Sequence, residues 1–246
     1  MVFILGNESD IQRFALDWCY SDDDILGNYV NRWIVHAVKR NVQEMTLDIW
    51  QYYRSTFEIP HQLLNCKSLI KLEMQVNTGA EYADVILPKS MDLLKLKVLH
   101  LHGFSISNEE LYKRLFSSCP VLKTLEIYSC DMPNLIVNSL SLENFVYKQF
   151  RSTMANIIKL TAPNLKDFEC RSFINSCDIP KCSLLSNVQF DIIATMCLSF
   201  IKKFFMFITK KLKLHYRHRI QSSSIYIDQS QTLLSRVHKA CDNCQL

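Results

Sequence analysis

Two histidines separated by one residue, His100 and His102, have a type and spacing that could do chemistry. Residues two apart lie on the same face of a strand, so both imidazoles would point the same way. Imidazole nitrogens are common zinc ligands, but the sequence identifies no third ligand to complete a site. We therefore expect both histidines to be ordinary surface residues of a sheet, with no metal bound.

A second group of potential metal ligands lies in the segment HKACDNC, which contains His238, Cys241 and Cys244. A common zinc site needs a further ligand pair at suitable distance, and Cys177 and Cys182 have the wrong spacing for one. The ten cysteines are scattered, and the segment MVFILGN has neither the basic start nor the cleavage site of a secretory signal. We therefore expect free thiols and a cytoplasmic or nuclear location.

Charge is unevenly distributed, since residues 202–219 carry seven lysines or arginines and no acid. Within KKLKLHYRHRI, apolar and basic residues alternate, which indicates a strand with one positive face. Such a face could bind nucleic-acid phosphates or an anionic surface. It could equally be a charged edge strand that discourages sheet pairing. We favour the edge strand, and we do not expect nucleic acid as a partner.

Motifs of the common enzyme classes are absent. The sequence has no G-x-S-x-G, no H-E-x-x-H and no glycine-rich phosphate loop, and only four of its 246 residues are glycine. Lys202 and Lys203 interrupt the best candidate for a membrane span, which needs about 20 apolar residues. We expect no enzyme activity, no cofactor and no membrane association.

The strongest signal is the spacing of apolar residues in CPVLKTLEIYSC, where Leu122, Leu125 and Ile127 form L-x-x-L-x-I. The same spacing recurs in LKLKVLHLHG and CKSLIKLEMQ, and looser copies begin at residues 11, 42, 142, 165 and 185. The last two apolar residues of each copy would share one face of a short strand. Such a strand cannot bury its face alone, so the copies are predicted to stack side by side.

The segments between copies predict helices in the first 130 residues. NYVNRWIVHAVKR has the periodicity of an amphipathic helix, and SISNEELYKRLFSSCP predicts a second helix with Ser107 and Glu110 as a capping box. IPHQLLNC predicts a shorter helix that starts at Pro60. From residue 130 to 190 the copies shorten, which leaves room only for turns or a single helical turn.

Together these patterns predict an α/β leucine-rich-repeat solenoid of the ribonuclease-inhibitor-like type, with a parallel sheet on its concave face. We expect residues 1–190 to form the leucine-rich-repeat domain and residues 191–246 to form a divergent basic C-terminal segment. Leu72, Leu99, Leu125 and Phe168 should then meet on adjacent rungs of the sheet.

Several longer segments occur in a fixed order along the chain, among them VNRWIVHAVKRNVQEMTLDI, IPHQLLNCKSLIKLEM and LTAPNLKDFECRS. Taken together they resemble plant F-box/LRR-repeat proteins of the FBD-associated kind, and the similarity covers roughly residues 10–190. The resemblance implies an N-terminal F-box that joins a cullin ubiquitin ligase, and repeats that choose the protein to be ubiquitinated. No F-box-like segment precedes Ile11, so we do not expect this chain to dock to the ligase.

The residues beside each buried pair should point outward and form the candidate protein-binding surface. In the clearest copies they are Lys71, Glu73, Gln75, Val98, His100, His102, Thr124, Glu126, Tyr128, Asp167, Glu169 and Arg171. This mixed-charge face suits an unidentified target protein, so the predicted function is non-catalytic recognition like that of the substrate-binding part of a ligase adaptor. Two alternatives stay open: nucleic-acid or anionic-surface binding through residues 202–219, and a truncated gene fragment without selected activity.

Overall fold

The computed structural model describes residues 10–20, 25–51, 56–78, 82–106, 108–132, 134–149, 156–172, 174–178, 187–192, 215–220 and 223–226. The helices in these ranges are α1 (Ile25–Lys39) and α2 (Glu109–Ser117), with a 3-10 turn at Leu63–Asn65. The strands are β1 (Arg13–Tyr20), β2 (Glu44–Gln51), β3 (Phe57–Glu58), β4 (Lys71–Thr78), β5 (Ala83–Ile86), β6 (Val98–His102), β7 (Phe104–Ser105), β8 (Thr124–Tyr128), β9 (Asn134–Asn138), β10 (Asn144–Lys148), β11 (Asn156–Thr161), β12 (Asp167–Ser172), β13 (Ile174–Asp178), β14 (Asn187–Ile192), β15 (His215–Ile220) and β16 (Ser223–Tyr226).

Ten of these strands form one sheet in the order β1-β2-β4-β6-β8-β10-β12-β14-β15-β16. Every neighbouring pair is parallel except β15 with β16. Each parallel strand therefore adds one rung, and the chain between two rungs crosses back behind the sheet. This is the architecture of a solenoid, and it confirms the predicted fold class.

Two apolar rows cross the buried face of the sheet. In register they are Phe14, Met45, Leu72, Leu99, Leu125, Phe145 and Phe168, and then Leu16, Leu47, Met74, Leu101, Ile127, Tyr147 and Cys170. None of these side chains is more than 4% exposed. Burial of one such side chain contributes about 1.5–3 kcal/mol, so the rows hold neighbouring rungs together. The prediction that Leu72, Leu99, Leu125 and Phe168 share a layer is confirmed, with Phe145 between the last two.

The turn before each strand is tied to the preceding rung by a repeated pair of hydrogen bonds. The carbonyl oxygen of Lys97 accepts from the backbone N–H groups of both Lys123 and Thr124, at 2.8 and 3.0 Å. The carbonyls of Gln12, Gln43, Ile70, Lys123 and Glu143 each accept two N–H groups of the next rung in the same way. These pairs fix where each strand begins relative to its neighbour.

Helix α1 lies where the apolar periodicity predicts it. Val30, Ile34 and Ala37 are fully buried against the core, and the helix ends in a left-handed residue, Asn41, with φ of 54°. The N–H of Asn41 bonds the carbonyl of Val38, and the N–H of Val42 bonds that of Ala37. This is a Schellman ending, with asparagine in the position that favours residues tolerant of positive φ.

Helix α2 is also confirmed, but its cap is Asn108 rather than Ser107. The Oδ1 atom of Asn108 accepts hydrogen bonds from the N–H groups of Glu110 and Leu111, at 3.0 and 3.3 Å. Asn108 has the extended backbone of an N-cap residue, so the predicted capping box is one residue too early. Ser107 itself lies outside the described residues.

The other return segments differ from the prediction. IPHQLLNC forms one 3-10 turn rather than a short helix, and the segments beyond residue 130 are strands rather than turns. β9, β11 and β13 form a second parallel sheet, and β3, β5 and β7 a third. Leu135 and Val137 of β9 are fully buried between exposed or half-buried neighbours, because a short strand can cover the core where the repeat leaves no length for a helix.

At the C-terminal end, β15 pairs with β14 on one side and β16 on the other. The prediction that the basic stretch is an edge strand is therefore wrong for residues 215–220, since an added antiparallel strand covers that edge. Residues 202–214 lie outside the described residues, and the domain boundary at residue 190 stays a prediction. Among the helices that the structure describes, none has the length and apolar character needed to cross a bilayer.

The exposed face of the main sheet as the candidate functional site

The candidate residues lie on the side of the sheet opposite the two apolar rows. Strand alternation leaves them half-buried between fully buried neighbours, as in the burial pattern of β6 and β8. Register places them in three rows across the rungs: Lys71, Val98, Thr124 and Asp167; then Glu73, His100, Glu126 and Glu169; then Gln75, His102, Tyr128 and Arg171. Their shared face is as predicted, and their role in binding stays a prediction.

The middle row is joined by a connected chain of polar contacts. Glu73 accepts from the hydroxyl of Thr46 at 2.9 Å and lies 2.8 Å from the Lys71 amine. His100 stands between two carboxylates, with Nδ1 3.0 Å from Glu73 and Nε2 3.5 Å from Glu126. We call Thr46, Lys71, Glu73, His100, Glu126, Tyr128, Lys148 and Glu169 the polar ladder.

The ladder continues through an aromatic residue on β8. The hydroxyl of Tyr128 donates to Glu126 at 2.9 Å, and the Lys148 amine lies 5.5 Å from the centre of the Tyr128 ring. Lys148 is also 2.8 Å from Glu169 on β12. The imidazole of His102 meets the Tyr128 ring edge-on at 6.3 Å. One network of side chains therefore spans six consecutive rungs of the sheet, from β2 to β12.

The electrostatics of this face follow from partial burial beside opposite charges. Burial raises the pKa of Glu73, but hydrogen bonds from Lys71 and Thr46, with the charges of Lys71 and His100, outweigh it and leave that pKa lowered. Burial lowers the pKa of His102, although the Asp48 carboxylate acts against it. Burial and then the bond to Glu126 raise the pKa of Tyr128. At neutral pH the ladder thus holds Glu73 ionised and Tyr128 as a neutral donor.

The first row is held by the Asn144 amide on β10. With its nitrogen directed at Asp167, 2.7 Å away, the amide oxygen accepts from the hydroxyl of Thr124 at 3.3 Å. Gln75 and Arg171 complete the third row by register, beside His102 and Lys148 respectively. Side chains on this face are therefore positioned by each other before any partner arrives.

Several residues of this face escaped the sequence prediction, among them Thr46, Asp48 and Trp50 on β2, and Asn144 and Lys148 on β10. Trp50 is 47% exposed and Asp48 accepts from Asn77 at 3.1 Å. Both strands were recognised as looser copies of the spacing, so the same alternation rule would have identified these residues. Only the clearest copies were used to select the candidate surface.

The histidine pair does not gather a third metal ligand on this face. Among the residues that the structure describes, no group of three or more histidine, cysteine or acidic side chains is arranged to hold a metal, and both nitrogens of His100 already face carboxylates. His238, Cys241 and Cys244, which we expect to be ordinary residues with free thiols, lie outside the described residues, as does Cys182, and the side chain of Cys177 is not described.

Parallel rungs with one polar face and two buried apolar rows define a leucine-rich-repeat protein. Comparison with known families agrees: the model for the LRR repeats of FBD-associated F-box protein At5g56370 matches residues 30–189. The chain belongs to this family, and the resemblance drawn from the sequence is confirmed. The matched range begins within α1 and ends within β14.

Relatives with the same repeats occur in Arabidopsis thaliana. F-box/FBD/LRR-repeat protein At1g78750 is 29% identical over 69% of this chain, F-box/LRR-repeat protein At1g55660 is 29% identical over 54%, and FBD-associated F-box protein At4g13985 is 30% identical over 58%. The matched part spans 38%, 36% and 31% of these relatives, respectively. No solved structure matches the chain.

Proposed function

We propose that this chain recognises another protein through the exposed face of its main sheet, as the target-binding part of an F-box-type ubiquitin-ligase adaptor. The observation that carries the proposal is the polar ladder. Its side chains are already ordered by mutual hydrogen bonds, so a partner that meets them loses little side-chain entropy on binding. The family's repeats are protein-interaction modules, which supports the same assignment.

The aromatic residues of this face supply the second part of the argument. Trp50 is 47% exposed on β2, and Tyr128 stands near the middle of the sheet with its hydroxyl bonded to Glu126. Tryptophan and tyrosine are enriched among the residues that dominate binding energy at interfaces. The proposed contact therefore centres on these two rings, with the charged residues of the ladder selecting the partner's polar groups.

The direct test compares the partners of two variants in plant cells. Trp50→Ala/Tyr128→Ala removes both rings, and Tyr29→Ala/His36→Ala is a matched control that removes two exposed rings from α1 on the other side of the molecule. Proximity labelling with mass spectrometry should recover proteins that the first variant loses and the control retains. Circular dichroism checks that both variants fold. Identical partner sets for the two variants would contradict the proposal.

Ligase docking needs a separate experiment. Co-precipitation of residues 1–190 with the adaptor subunit of a cullin ligase measures it directly. We propose that the repeats bind targets and not the ligase, and robust co-precipitation would overturn that part of the proposal while leaving target recognition intact.

A further inference from the structure

Three large apolar side chains are exposed in three consecutive turns at one edge of the main sheet. Leu94, Val121 and Leu140 precede β6, β8 and β10 and are 50%, 40% and 75% exposed. Each lies one or two residues before a fully buried leucine of the core, Leu96, Leu122 and Leu142. The core is therefore already filled at these points, and the three exposed side chains do not contribute to it.

These turns stack directly on one another. The N–H of Leu93 bonds the carbonyl of Ser118 at 3.0 Å, which ties the turn before β6 to the turn before β8. The Ser141 hydroxyl bonds the carbonyl of Leu122 at 2.8 Å, which ties the next turn in the same way. Leu94 and Leu140 lie four positions before Val98 and Asn144, and Val121 lies three positions before Thr124, their partner in register. Adjacent rungs are about 4.8 Å apart, so the three exposed apolar residues lie within one position of each other on neighbouring rungs, and we call them the stripe.

The same positions are polar on the two rungs before the stripe. The turn before β2 has Arg40 and Asn41, and the turn before β4 has Lys67 and Ser68. The repeat thus does not require an apolar residue here, since two of its copies do without one. Neighbouring exposed apolar residues that form a patch mark interaction sites, whereas single exposed apolar residues are common on any protein.

Positive charge surrounds the stripe. Lys95, Lys97 and Lys123 are exposed in the same turns, and Lys166 follows in the turn before β12. The nearest carboxylate, Glu143, lies between Lys123 and Lys166 at 2.8 and 2.6 Å and so neutralises one of the two. The other acid of these turns, Asp92, is paired with Lys67. The turns therefore keep a net positive charge, and a partner needs acidic groups beside its apolar ones.

From this combination we infer a second interaction surface, the turn edge, formed by Leu94, Lys95, Lys97, Val121, Lys123 and Leu140. We propose that it binds an amphipathic helix of another protein whose apolar stripe is flanked by aspartate or glutamate. Side chains three or four residues apart on a helix are about 5–6 Å apart, which matches the rung spacing. The surface is separate from the exposed sheet face and does not depend on what binds there.

A designed peptide pair tests the proposal on the full chain. One 18-residue helical peptide carries leucine at positions i, i+4, i+7 and i+11 with flanking glutamates, and its control carries lysine in place of every glutamate. Fluorescence anisotropy should give at least tenfold tighter binding of the acidic peptide. Leu140→Ser, and separately Lys95→Glu/Lys97→Glu, should each weaken that binding at least tenfold, whereas Trp50→Ala should change it less than twofold.

Each other outcome argues against the turn edge. Equal binding of the two peptides, no binding of either at several hundred micromolar, or no effect of Leu140→Ser would overturn the proposal. Vesicles of phosphatidylcholine and phosphatidylserine provide a further arm. Leu140-dependent sedimentation with vesicles, without binding of the acidic peptide, would assign the edge to an anionic membrane instead. Loss of peptide binding in Trp50→Ala would place the helix on the sheet face and overturn the turn edge. That result would leave the proposed function of the sheet face standing, so the two proposals fail separately.

Discussion

The first four crossings of the solenoid and the three that follow them differ in length and in the elements that they contain. Between rungs β1 and β8, residues paired in register are 26 to 31 positions apart, and the returns contain α1, a 3-10 turn or α2 as well as the short strands β3, β5 and β7. Between β8 and β14 they are 20 to 23 apart, and the returns contain β9, β11 and β13. The buried rows run through both halves without a break.

This difference shows that the strands of the main sheet and the return segments packed behind them, the backing, have different sequence requirements. The two inward residues of each strand are set by the sheet, so they are apolar in both halves. The backing only has to cover those residues: β9, β11 and β13 do so with five or six residues each, whereas α1 has 15 residues and α2 has nine. The described helices therefore occur in the longer repeats, while the strand of the main sheet stays the same.

The largest expected effect tests whether the two halves are equally dependent on the shared core. Leu99→Ala in the first half and Phe145→Ala in the second each delete a fully buried side chain, so each should lower the free energy of unfolding by roughly 2–5 kcal/mol. Urea denaturation measures both, with exposed Leu94→Ala as a control that should cost less than about 0.5 kcal/mol. A small effect of Phe145→Ala alone would mean that the strand-backed half is loosely packed.

The next effect concerns residues that end neighbouring rungs. Gly103 after β6 has φ of 83°, and a side chain there would overlap the carbonyl oxygen of Val76. Ser129 occupies the corresponding place after β8, with φ of 46°. Gly103→Ser should therefore cost roughly 1–3 kcal/mol, whereas Ser129→Gly should change stability by less than about 1 kcal/mol. Thermal unfolding of both variants distinguishes them, and equal melting temperatures would count against the overlap.

A smaller effect should appear only where the backing is a helix. Asn108→Ala removes the acceptor for two N–H groups at the start of α2 and should cost about 1 kcal/mol, whereas Asn108→Ser should keep most of it. The matched change in the strand-backed half is Asn134→Ala, at the exposed first residue of β9, which should cost less than about 0.5 kcal/mol. Urea unfolding compares them, and similar losses at both sites would contradict the distinction.

The smallest effect is electrostatic. Each half contains a glutamate whose pKa is lowered by lysine. In the first half, a hydrogen bond from Lys113 lowers the pKa of Glu109. In the second half, hydrogen bonds from Lys123 and Lys166 lower the pKa of Glu143 to about 2. Because that pKa is below the ordinary value, the interaction is present above about pH 4.5 and is lost as the pH falls towards 2. NMR titration of the carboxyl carbon should show this midpoint. Lys166→Ala should raise it, and an unchanged midpoint would contradict the pairing.

Much of the fold could be predicted because its signals are local. The pattern L-x-x-L-x-I identifies the inward residues of a strand without information about neighbouring strands. The helical spacing of apolar residues in α1 continues over most of its 15 residues, which is long enough to exclude other structures. Asn134–Asn138 gave no comparable signal, because its run of three apolar residues predicts a strand, a turn or a buried loop equally well. The cap of α2 was misplaced by one residue because Ser107 and Asn108 are both good capping residues.

The candidate site was predictable only as a list of outward residues. That Glu73, His100 and Glu126 meet depends on the register between repeats of unequal length, which a single strand does not contain. The contact of Tyr128 with Lys148 likewise joins rungs that are 20 residues apart in the chain. Single repeats therefore indicate which side chains face outward, but not which of them interact.

The double hydrogen bond before each strand has a consequence for how such proteins change in evolution. Because six successive junctions use the same backbone atoms, a whole repeat could be gained or lost without altering how its neighbours join. A solenoid built in this way can lengthen its exposed sheet face in increments of about 5 Å. Duplication of a rung would add new outward side chains to that face, and their substitution would follow.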